Sequence, residues 1–396
     1  MFKSGFKPNN NEVKLGEIPD KDFYDYKLDV MFSGYKWDSQ AGEQSTICNK
    51  VVLLSEECME FLSKTAVCLY NETIQMETAL KEKPDLILQT GASEIVTNAL
   101  FSCSYERDKH IRLMRFDFHL TNEGWKISEV NSDVPAGYPD ASVLPEIASK
   151  YFKEYIPGAN FGSILADRLC HHAPVGSTIA YLYDTHTVED LQILHYIGEL
   201  METKGYKSLY TCPTHIKWNE RKAENIGAIL RHYPIEWLEG MKNADLDGFV
   251  NSLTPSCNHP TALLAQSKRL PLVWDKLGVD IPYWKEYLPE TLCPTKAVNK
   301  KGWILKPAFG RVGQGINIPG VVSKAENKNI LTAVKTNPEL WVAQKMFKSE
   351  PIDKMHMSLG VFVVDGVYAG LFARVSKLPR MDSESQEIPV LIKRGN

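Results

Sequence analysis

The sequence lacks several features that would place it in a class at once. None of its apolar runs approaches the roughly 20 residues of a membrane-spanning helix. Its eight cysteines are scattered, without a C-x-x-C pair or zinc-finger spacing, so we expect reduced, mostly buried thiols. With 45 basic and 49 acidic residues, the chain has no basic excess for nucleic acid or membrane surfaces. The start has no apolar signal-peptide core, which predicts a cytoplasmic protein. From the charge balance and the lack of a membrane-spanning run we expect neither nucleic-acid nor membrane partners.

At 396 residues the chain is long enough for two or three domains. We predict an N-terminal region with a β-hairpin (1–160), a central α/β domain (161–260) and a β-rich region (261–396). The lead-in to residue 45 looks irregular, and a helical pattern then runs to about residue 110. Residues 177–213 read as strand, helix and strand, which is a βαβ unit with parallel pairing. The fold class is therefore mixed α/β (α+β).

The last region combines one predicted helix with several strands. The helix is KRLPLVWDKL (268–277), and a further helix is predicted earlier, at ASVLPEIASKYFKEYIPG (141–158). The predicted strands are GWILKPAF, INIPGVV, WVAQKMF, MSLGVFVVDGVYAGLFARVSK and PVLIKR.

The most informative segment is LMRFDFHLTNEGWKISEVNSDVP, residues 113–135. Its first half alternates apolar residues with Arg115, Asp117 and His119, which is the two-residue period of a strand. Asn122-Glu123-Gly124 suits a tight turn, so the segment predicts a hairpin.

Pairing Thr121 with Trp125 would place Asp117 opposite Glu129, and Arg115 opposite Asn131. The same register puts the apolar residues Trp125 and Ile127 on this polar face. We therefore do not expect the face to be exposed to solvent throughout. Two neighbouring carboxylates repel each other unless a cation lies between them, and carboxylate and amide oxygens suit Mg²⁺. The hairpin alone leaves two alternatives open, a solvated outer face and a metal site.

A second motif is WILKPAFGRVGQGINIPG, residues 303–320, which contains Gly310, Gly313 and Gly315. A strand is expected after these glycines, whereas Rossmann and Walker sites need a helix there. Two strands joined by a glycine loop predict a flap whose backbone N–H groups can close over a triphosphate, with Lys306 on the incoming strand. An ordinary glycine hairpin is the alternative.

Three weaker signals complete the pattern. The apolar stretch 340–344 ends in Gln344, and its backbone could pair with an adenine edge. A hairpin turning at Asp365-Gly366 carries Arg374 on its return strand, where an exposed arginine is the simpler explanation. Acidic residues near the end, Asp382, Glu384 and Glu387, fit either a solvated loop or contact with a cationic amine.

Taken in order, RFDFHL…WKISEVNSDVP, SKRLPLVW, KPAFGRVGQGI, WVAQ and GLFARVSK resemble the synthetase domain of glutathionylspermidine synthase and its relatives. The resemblance covers roughly residues 100–396, and its most specific element is Arg115-x-Asp117 followed twelve residues later by Glu129-x-Asn131. It implies an ATP-grasp fold with a preceding α/β domain. The amidase domain of some members is not expected, and Ser267 stands where the family usually has Asn.

The resemblance also implies a role for each matched residue. Asp117, Glu129 and Asn131 would hold Mg²⁺, with two ions expected, against the phosphates of ATP. Arg115 would bind the transferred phosphoryl group or the acyl phosphate formed from it. The remaining matches are Lys268 and Lys306 at the nucleotide phosphates, Gly310, Gly313 and Gly315 in the flap, Gln344 in the adenine-binding stretch and Arg374 near the reacting carboxylate.

These roles predict an ATP- and Mg²⁺-dependent carboxylate–amine ligase that forms an amide through an acyl phosphate. Phosphorylation is needed because oxide is too poor a leaving group for an amine to displace. The substrates would be a small-molecule or peptide carboxylate and an amine, neither of which the sequence identifies. The alternatives are an ATP-grasp phosphotransferase and a non-catalytic nucleotide-binding protein.

Overall fold

The computed structural model describes residues 12–41, 44–297, 300–311 and 313–395. The strands are β1 (Val13–Glu17), β2 (Gln40–Ala41), β3 (Gln44–Ser45), β4 (Lys50–Leu54), β5 (Leu113–Thr121), β6 (Gly124–Asn131), β7 (Tyr155–Pro157), β8 (Thr178–Leu182), β9 (Lys207–Thr211), β10 (Trp218–Asn219), β11 (Lys222–Ala223), β12 (Ala228–Arg231), β13 (Ser256–Cys257), β14 (Thr291–Leu292), β15 (Trp303–Pro307), β16 (Trp341–Lys345), β17 (His356–Val364), β18 (Val367–Ser376), β19 (Gln386–Ile388) and β20 (Val390–Lys393). The α-helices are α1 (Asp20–Phe32), α2 (Glu56–Lys81), α3 (Pro84–Gln89), α4 (Glu94–Ser102), α5 (Val143–Ser149), α6 (Phe161–His172), α7 (Val188–Thr203), α8 (Leu246–Val250), α9 (Leu263–Gln266), α10 (Pro282–Tyr287) and α11 (Lys324–Thr336). Within these ranges, no helix has both the length and the apolar character needed to cross a membrane.

A five-stranded antiparallel sheet positions the hairpin, in the order β19-β18-β17-β5-β6. Phe116 and Phe118 on one face of β5 are fully buried and belong to the same core as the apolar side of helix α2. Ser55 caps this long helix by accepting a hydrogen bond from the backbone N–H of Cys58 at 3.1 Å. The opposite face of β5 is thereby left for the polar side chains.

The central part of the chain forms a parallel sheet in the order β13-β12-β8-β9. The predicted βαβ unit is confirmed as β8, α7 and β9, and Gly205 follows the helix with a φ of 86°. Helices α6 and α7 pack against one another and share a core with this sheet.

Besides the two-stranded sheets β2-β3 and β10-β11, two larger sheets complete the described part of the chain. One has the order β1-β4-β20-β7, with β20 parallel to β4, and the other has the order β14-β16-β15. Both the five-stranded sheet and the β20 sheet combine strands from the first and last predicted regions, and the three-part domain division remains a prediction. The expected mixed α/β class is confirmed, and all eight cysteines are free, three buried and five half-buried.

The structure corrects several predicted elements. The lead-in is not irregular throughout, because it contains β1 and α1. Helix α5 ends at Ser149, and β7 occupies the end of that predicted helix. KRLPLVWDKL forms two short 3-10 turns, Leu270–Leu272 and Trp274–Lys276, since Pro271 has no N–H for an α-helix. INIPGVV is irregular, and helix α11 follows it.

Candidate active site

The β5–β6 hairpin brings the predicted polar pairs together, although its turn is shorter than expected. Thr121 pairs with Gly124, so the expected Thr121–Trp125 pairing is wrong. A bulge at Ser128 then shifts the register by one residue, which restores the predicted pairing of Asp117 with Glu129. Arg115 lies opposite Asn131, also as predicted.

The bulge changes which face Trp125 and Ile127 occupy. Ile127 pairs with Phe118 and Trp125 pairs with Leu120, which places both on the apolar face of the ribbon. Both side chains are buried in the core, at 2% and 0% exposure. The expectation that they share the face of Glu129 is therefore wrong, and the polar face is bounded by other residues.

Arg115 and Asp117 form a buried bidentate pair. Arg115 Nε donates to Asp117 Oδ1 at 2.7 Å, and its Nη2 donates to Oδ2 at 3.0 Å. Asn131 Nδ2 also donates to Asp117 Oδ2 at 3.0 Å, so the amide oxygen of Asn131 is not the atom used in this contact. The guanidinium lies over the Phe372 ring at 4.7 Å. Gly360 on β17 leaves space for the Arg115 side chain, because a Cβ at position 360 would lie only 2.6 Å from Arg115 Cδ.

Glu129 lies between two lysines from distant parts of the chain. Lys268 Nζ is 2.7 Å from Glu129 Oε2 and donates to the carbonyl of Gly310 at 2.8 Å. Burial by itself would raise the pKa of Glu129, but the charges of Lys268 and then Lys306 hold that pKa at about 2. Glu129 is therefore an anion, and Lys268 links it to the glycine loop.

Lys306 is a buried lysine whose ammonium has polar partners. It is 4% exposed and donates to Gln344 Oε1 at 2.7 Å and to the Ser128 carbonyl at 3.2 Å. Burial lowers its pKa to about 8, with Glu129 opposing the shift and Lys268 adding to it.

Gln344 orients Lys306 and lies behind the cavity described next. Its Nε2 donates to Thr291 Oγ1 at 3.3 Å. Its backbone is paired on both sides, with Thr291 of β14 and Ile304 of β15, so this position does not offer the free strand edge that was expected for adenine. Met346 and Phe347, just beyond the strand, line the cavity instead.

A cavity of about 600 Å³ opens over the polar face of the hairpin. Five predicted site residues line it: Asp117, Glu129, Lys306, Gly313 and Arg374. The other six, Arg115, Asn131, Lys268, Gly310, Gly315 and Gln344, lie outside the lining, several of them hydrogen-bonded to those five. Much of the remaining wall is apolar and includes Ile304, Ile316, Ile318, Met346, Phe347 and Met381. The site therefore has a charged part and an apolar part.

Arg374 lines this cavity and has a side-chain donor without a partner in the described part of the chain. Its Nε is buried and finds no hydrogen-bond partner among the described residues. A buried guanidinium nitrogen without an acceptor is an incomplete arrangement, which an anionic ligand would complete.

The glycine loop differs from the predicted two-stranded flap. It leaves β15, and its described residues after Gly313 form no strand before α11. Gly313 and Gly315 have φ values of 64° and 72°, which favour glycine. Arg311 anchors the loop to the segment after β12, where it pairs with Glu236 at 2.8 Å and lies 5.5 Å from the centre of the Trp237 ring. The loop therefore bridges two parts of the chain.

Sequence reasoning left His119 without a role. Its Nε2 lies 3.0 Å from Ser128 Oγ, its ring is 5.1 Å from that of Phe347, and burial lowers its pKa to about 4. The signal was present, because His119 follows Arg115 and Asp117 in the same two-residue alternation. The loop from Met346 to Pro351 also lines the cavity and carried no such signal.

The donor set fits Mg²⁺ bound together with phosphates. In the parts of the chain that the structure describes, no three His, Cys, Asp or Glu side chains converge on one point. Asp117 and Glu129 each face a cationic side chain already, Arg115 and Lys268 respectively. Two carboxylates and one amide are a typical protein share of a Mg²⁺ site, in which water and phosphate oxygens supply the remaining ligands.

Comparison with known proteins gives a family and several similar solved structures. The profile of the family described as glutathionylspermidine synthase preATP-grasp matches residues 23–393. A glutathione synthetase-like effector from Globodera pallida, solved in its apo form, has a TM-score of 0.63 at 10% identity, over 94% of this chain and 98% of that one. A candidate gamma-glutamylcysteine synthetase from Methylobacillus flagellatus has a TM-score of 0.44 at 12% identity, over 82% and 88%. No match was found among curated proteins. The first likeness agrees with the expected ATP-grasp fold class.

Proposed function

The chain belongs to the glutathionylspermidine synthase preATP-grasp family, and from that premise we propose that it is an ATP- and Mg²⁺-dependent carboxylate–amine ligase. The observation that carries this proposal is the charged wall of the 600 Å³ cavity. There the anionic Glu129 lies beside Lys268 and Lys306, and Arg374 has an unpartnered buried donor. Such a wall suits a nucleotide triphosphate with its metal and a second anion nearby.

The nucleotide would divide between the two parts of the cavity. The apolar wall around Ile304, Ile318 and Met346 suits the base, and the ammonium group of Lys306 suits the phosphates. Lys268 lies outside the lining and would add its positive charge from behind Glu129. Asp117, Glu129 and Asn131 would hold Mg²⁺, which neutralises phosphate charge when bound. The glycine loop, tied to Lys268 through the Gly310 carbonyl, would limit the access of water.

The reaction then proceeds in two displacements. An oxygen of the substrate carboxylate attacks the γ-phosphorus of ATP, and ADP leaves with the electron pair of the broken P–O bond. The amine nitrogen next attacks the acyl carbon, phosphate leaves, and the nitrogen loses a proton to give the amide. Arg374, with Arg115 behind Asp117, would stabilise the negative charge that develops on the transferred group.

The first test is trapping of the acyl phosphate. The protein is incubated with ATP, Mg²⁺, hydroxylamine and a panel of small acids and peptides that includes glutathione. We expect hydroxamate formation in step with ADP and phosphate release for at least one acid. Glu129→Gln should lower the rate about 100-fold or more, while Glu123→Gln, at the exposed tip of the same hairpin, should leave it unchanged.

Two results would contradict the proposal. A stable phosphorylated product without hydroxamate would assign a phosphotransferase. Binding of ATP without any turnover across the acid panel, with the same affinity in Glu129→Gln, would assign a non-catalytic nucleotide-binding protein.

A further inference from the structure

A second, smaller cavity lies near Arg374 and Arg115, and its lining includes several acidic side chains. Asp140, Glu189 and Glu387 line it, together with Lys36. Asp38 adds a fourth carboxylate, 3.2 Å from Lys36 Nζ. The ammonium of Lys36 also forms an ion pair with Glu387. Four acidic side chains therefore lie around Lys36, and two of them, Asp38 and Glu387, form ion pairs with its ammonium group.

Lys36 is held in this cavity by a constrained segment, residues 34–38. Tyr35 has a φ of 57°, a left-handed conformation that a bulky residue rarely adopts. Gln192 of α7 holds the other side of Lys36: its Oε1 accepts from the Trp37 N–H at 2.7 Å, and its Nε2 donates to Asp38 Oδ1 at 2.7 Å. The side chain of Lys36 is only 7% exposed. The backbone conformation of Tyr35 and the hydrogen bonds of Gln192 to Trp37 and Asp38 therefore fix the position of Lys36.

The cavity remains short of positive charge even with Lys36 in place. Asp140 is 6% exposed, and its Oδ1 has no hydrogen-bond partner within the described ranges. Burial and then the charge of Glu387 raise the pKa of Asp140 to about 8, against the opposing effect of Lys36. A buried carboxylate oxygen without a donor is one that a cationic N–H group could satisfy.

Glu387 brings this cavity close to the candidate active site. It lies opposite Arg374 in the backbone register of strands β19 and β18. Burial raises the pKa of Glu387, and Lys36, Arg374 and Arg115 together bring it below the ordinary value. The acidic cavity therefore lies on the side of the site where Arg374 would meet the acyl group.

We propose that Lys36 is a specificity-determining residue, an ammonium group of the chain itself that occupies a cation cavity beside Arg374. The ammonium end of an amine substrate binds among Asp38, Asp140, Glu189 and Glu387 only when Lys36 withdraws. The inference that Lys36 determines which amine reacts rests on the proposed ligase function. The inference that amines bind to this cavity does not rest on it, because binding needs neither ATP nor turnover.

The experiment compares amine binding to the wild-type protein and to Lys36→Ala without nucleotide. The probes are propylamine, 1,3-diaminopropane and spermidine, measured by isothermal titration and by thermal unfolding. We expect at least one amine to bind Lys36→Ala about 10-fold or more tightly than the wild type and to raise its Tm. Adding Glu387→Gln should remove this gain. Lys204→Ala, which breaks an exposed ion pair with Asp167, should behave as the wild type.

The other possible outcomes each support or overturn the proposed role of Lys36. Equal amine affinity of folded Lys36→Ala and wild type overturns it, as does a gain that survives Glu387→Gln. If Lys36→Ala folds poorly, its refolding yield is measured with and without propylamine: recovery supports the inference, and no recovery overturns it. Hydroxamate formation by the wild type together with equal amine affinities would reject this inference and leave the proposed function standing.

Discussion

Replacing Lys306 by methionine separates the stability of the site from its function. Methionine has a similar length and no charge, so it removes the buried ammonium while filling most of its volume. Because burial lowers the pKa of Lys306 from 10.5 to about 8, the folded protein disfavours the charged form that the unfolded chain carries freely. Lys306 is 4% exposed, so solvent screens this effect little.

The sign and size of the pH effect follow from that pKa. Between pH 8 and 10.5 the unfolded chain keeps the proton on Lys306 and the folded protein releases it, so stability rises with pH in this window. At 1.36 kcal/mol per pKa unit the full effect is about 3 kcal/mol. The free energy of unfolding of the wild type, measured relative to Lys306→Met, should therefore rise by about 2 to 3 kcal/mol from pH 7 to pH 10.

The assay is urea denaturation followed by tryptophan fluorescence at pH 7, 8, 9 and 10. Lys335→Met on the exposed side of α11 is the matched control, and its difference from the wild type should not change over this range. The kcat/KM for ATP of the wild type should also fall above about pH 8, because the free enzyme loses the ammonium that suits the phosphates. A difference between wild type and Lys306→Met that stays constant with pH would refute the reasoning.

Three further predictions concern neighbouring positions. Gly360→Ala should lower the free energy of unfolding by about 1 to 3 kcal/mol in urea titrations, because its Cβ would meet the arginine side chain of β5 at 2.6 Å; an unchanged midpoint would contradict this. Arg311→Ala, which removes the ion pair with Glu236, should raise the KM for ATP about 10-fold in initial-rate assays, and an unaltered KM would argue against the loop contact. Gln344→Glu places a carboxylate where the amide oxygen lies 2.7 Å from Lys306 Nζ, so the alkaline limit of kcat/KM should move to higher pH; a downward shift would oppose this account.

The sequence allowed the polar side of the hairpin to be predicted because a strand has a two-residue period. That period placed Asp117 and Arg115 on one face, and the pairing partners Glu129 and Asn131 were also predicted correctly. Two errors cancelled in that prediction, since the turn is one residue shorter than expected and the bulge at Ser128 adds one residue back. Bulges carry no composition signal as clear as glycine in a turn, so the faces of Trp125 and Ile127 were assigned wrongly.

The surroundings of the hairpin depended on contacts between distant residues, which periodicity does not reveal. The apolar run Ile316–Val322 reads as a strand, but Pro319 lacks an N–H for pairing, and the run remains irregular. The pairing of Gln344 with Lys306 joins residues on two adjacent strands, and its amide identity alone did not indicate that role. Lys36 lies in a stretch without periodicity, and only the folded chain shows what surrounds it.

The place of β5 inside its sheet has a consequence for biosynthesis. β5 pairs with β6 along one edge, and along the other with β17, so that Phe118 meets Leu359 from the far end of the chain. During translation the β5–β6 hairpin therefore leaves the ribosome long before β17, the strand that pairs with the open edge of β5, has been synthesised. Until then the nascent chain exposes unpaired backbone groups, and a fragment that stops short of β17 should need a chaperone to avoid joining edge to edge with its copies.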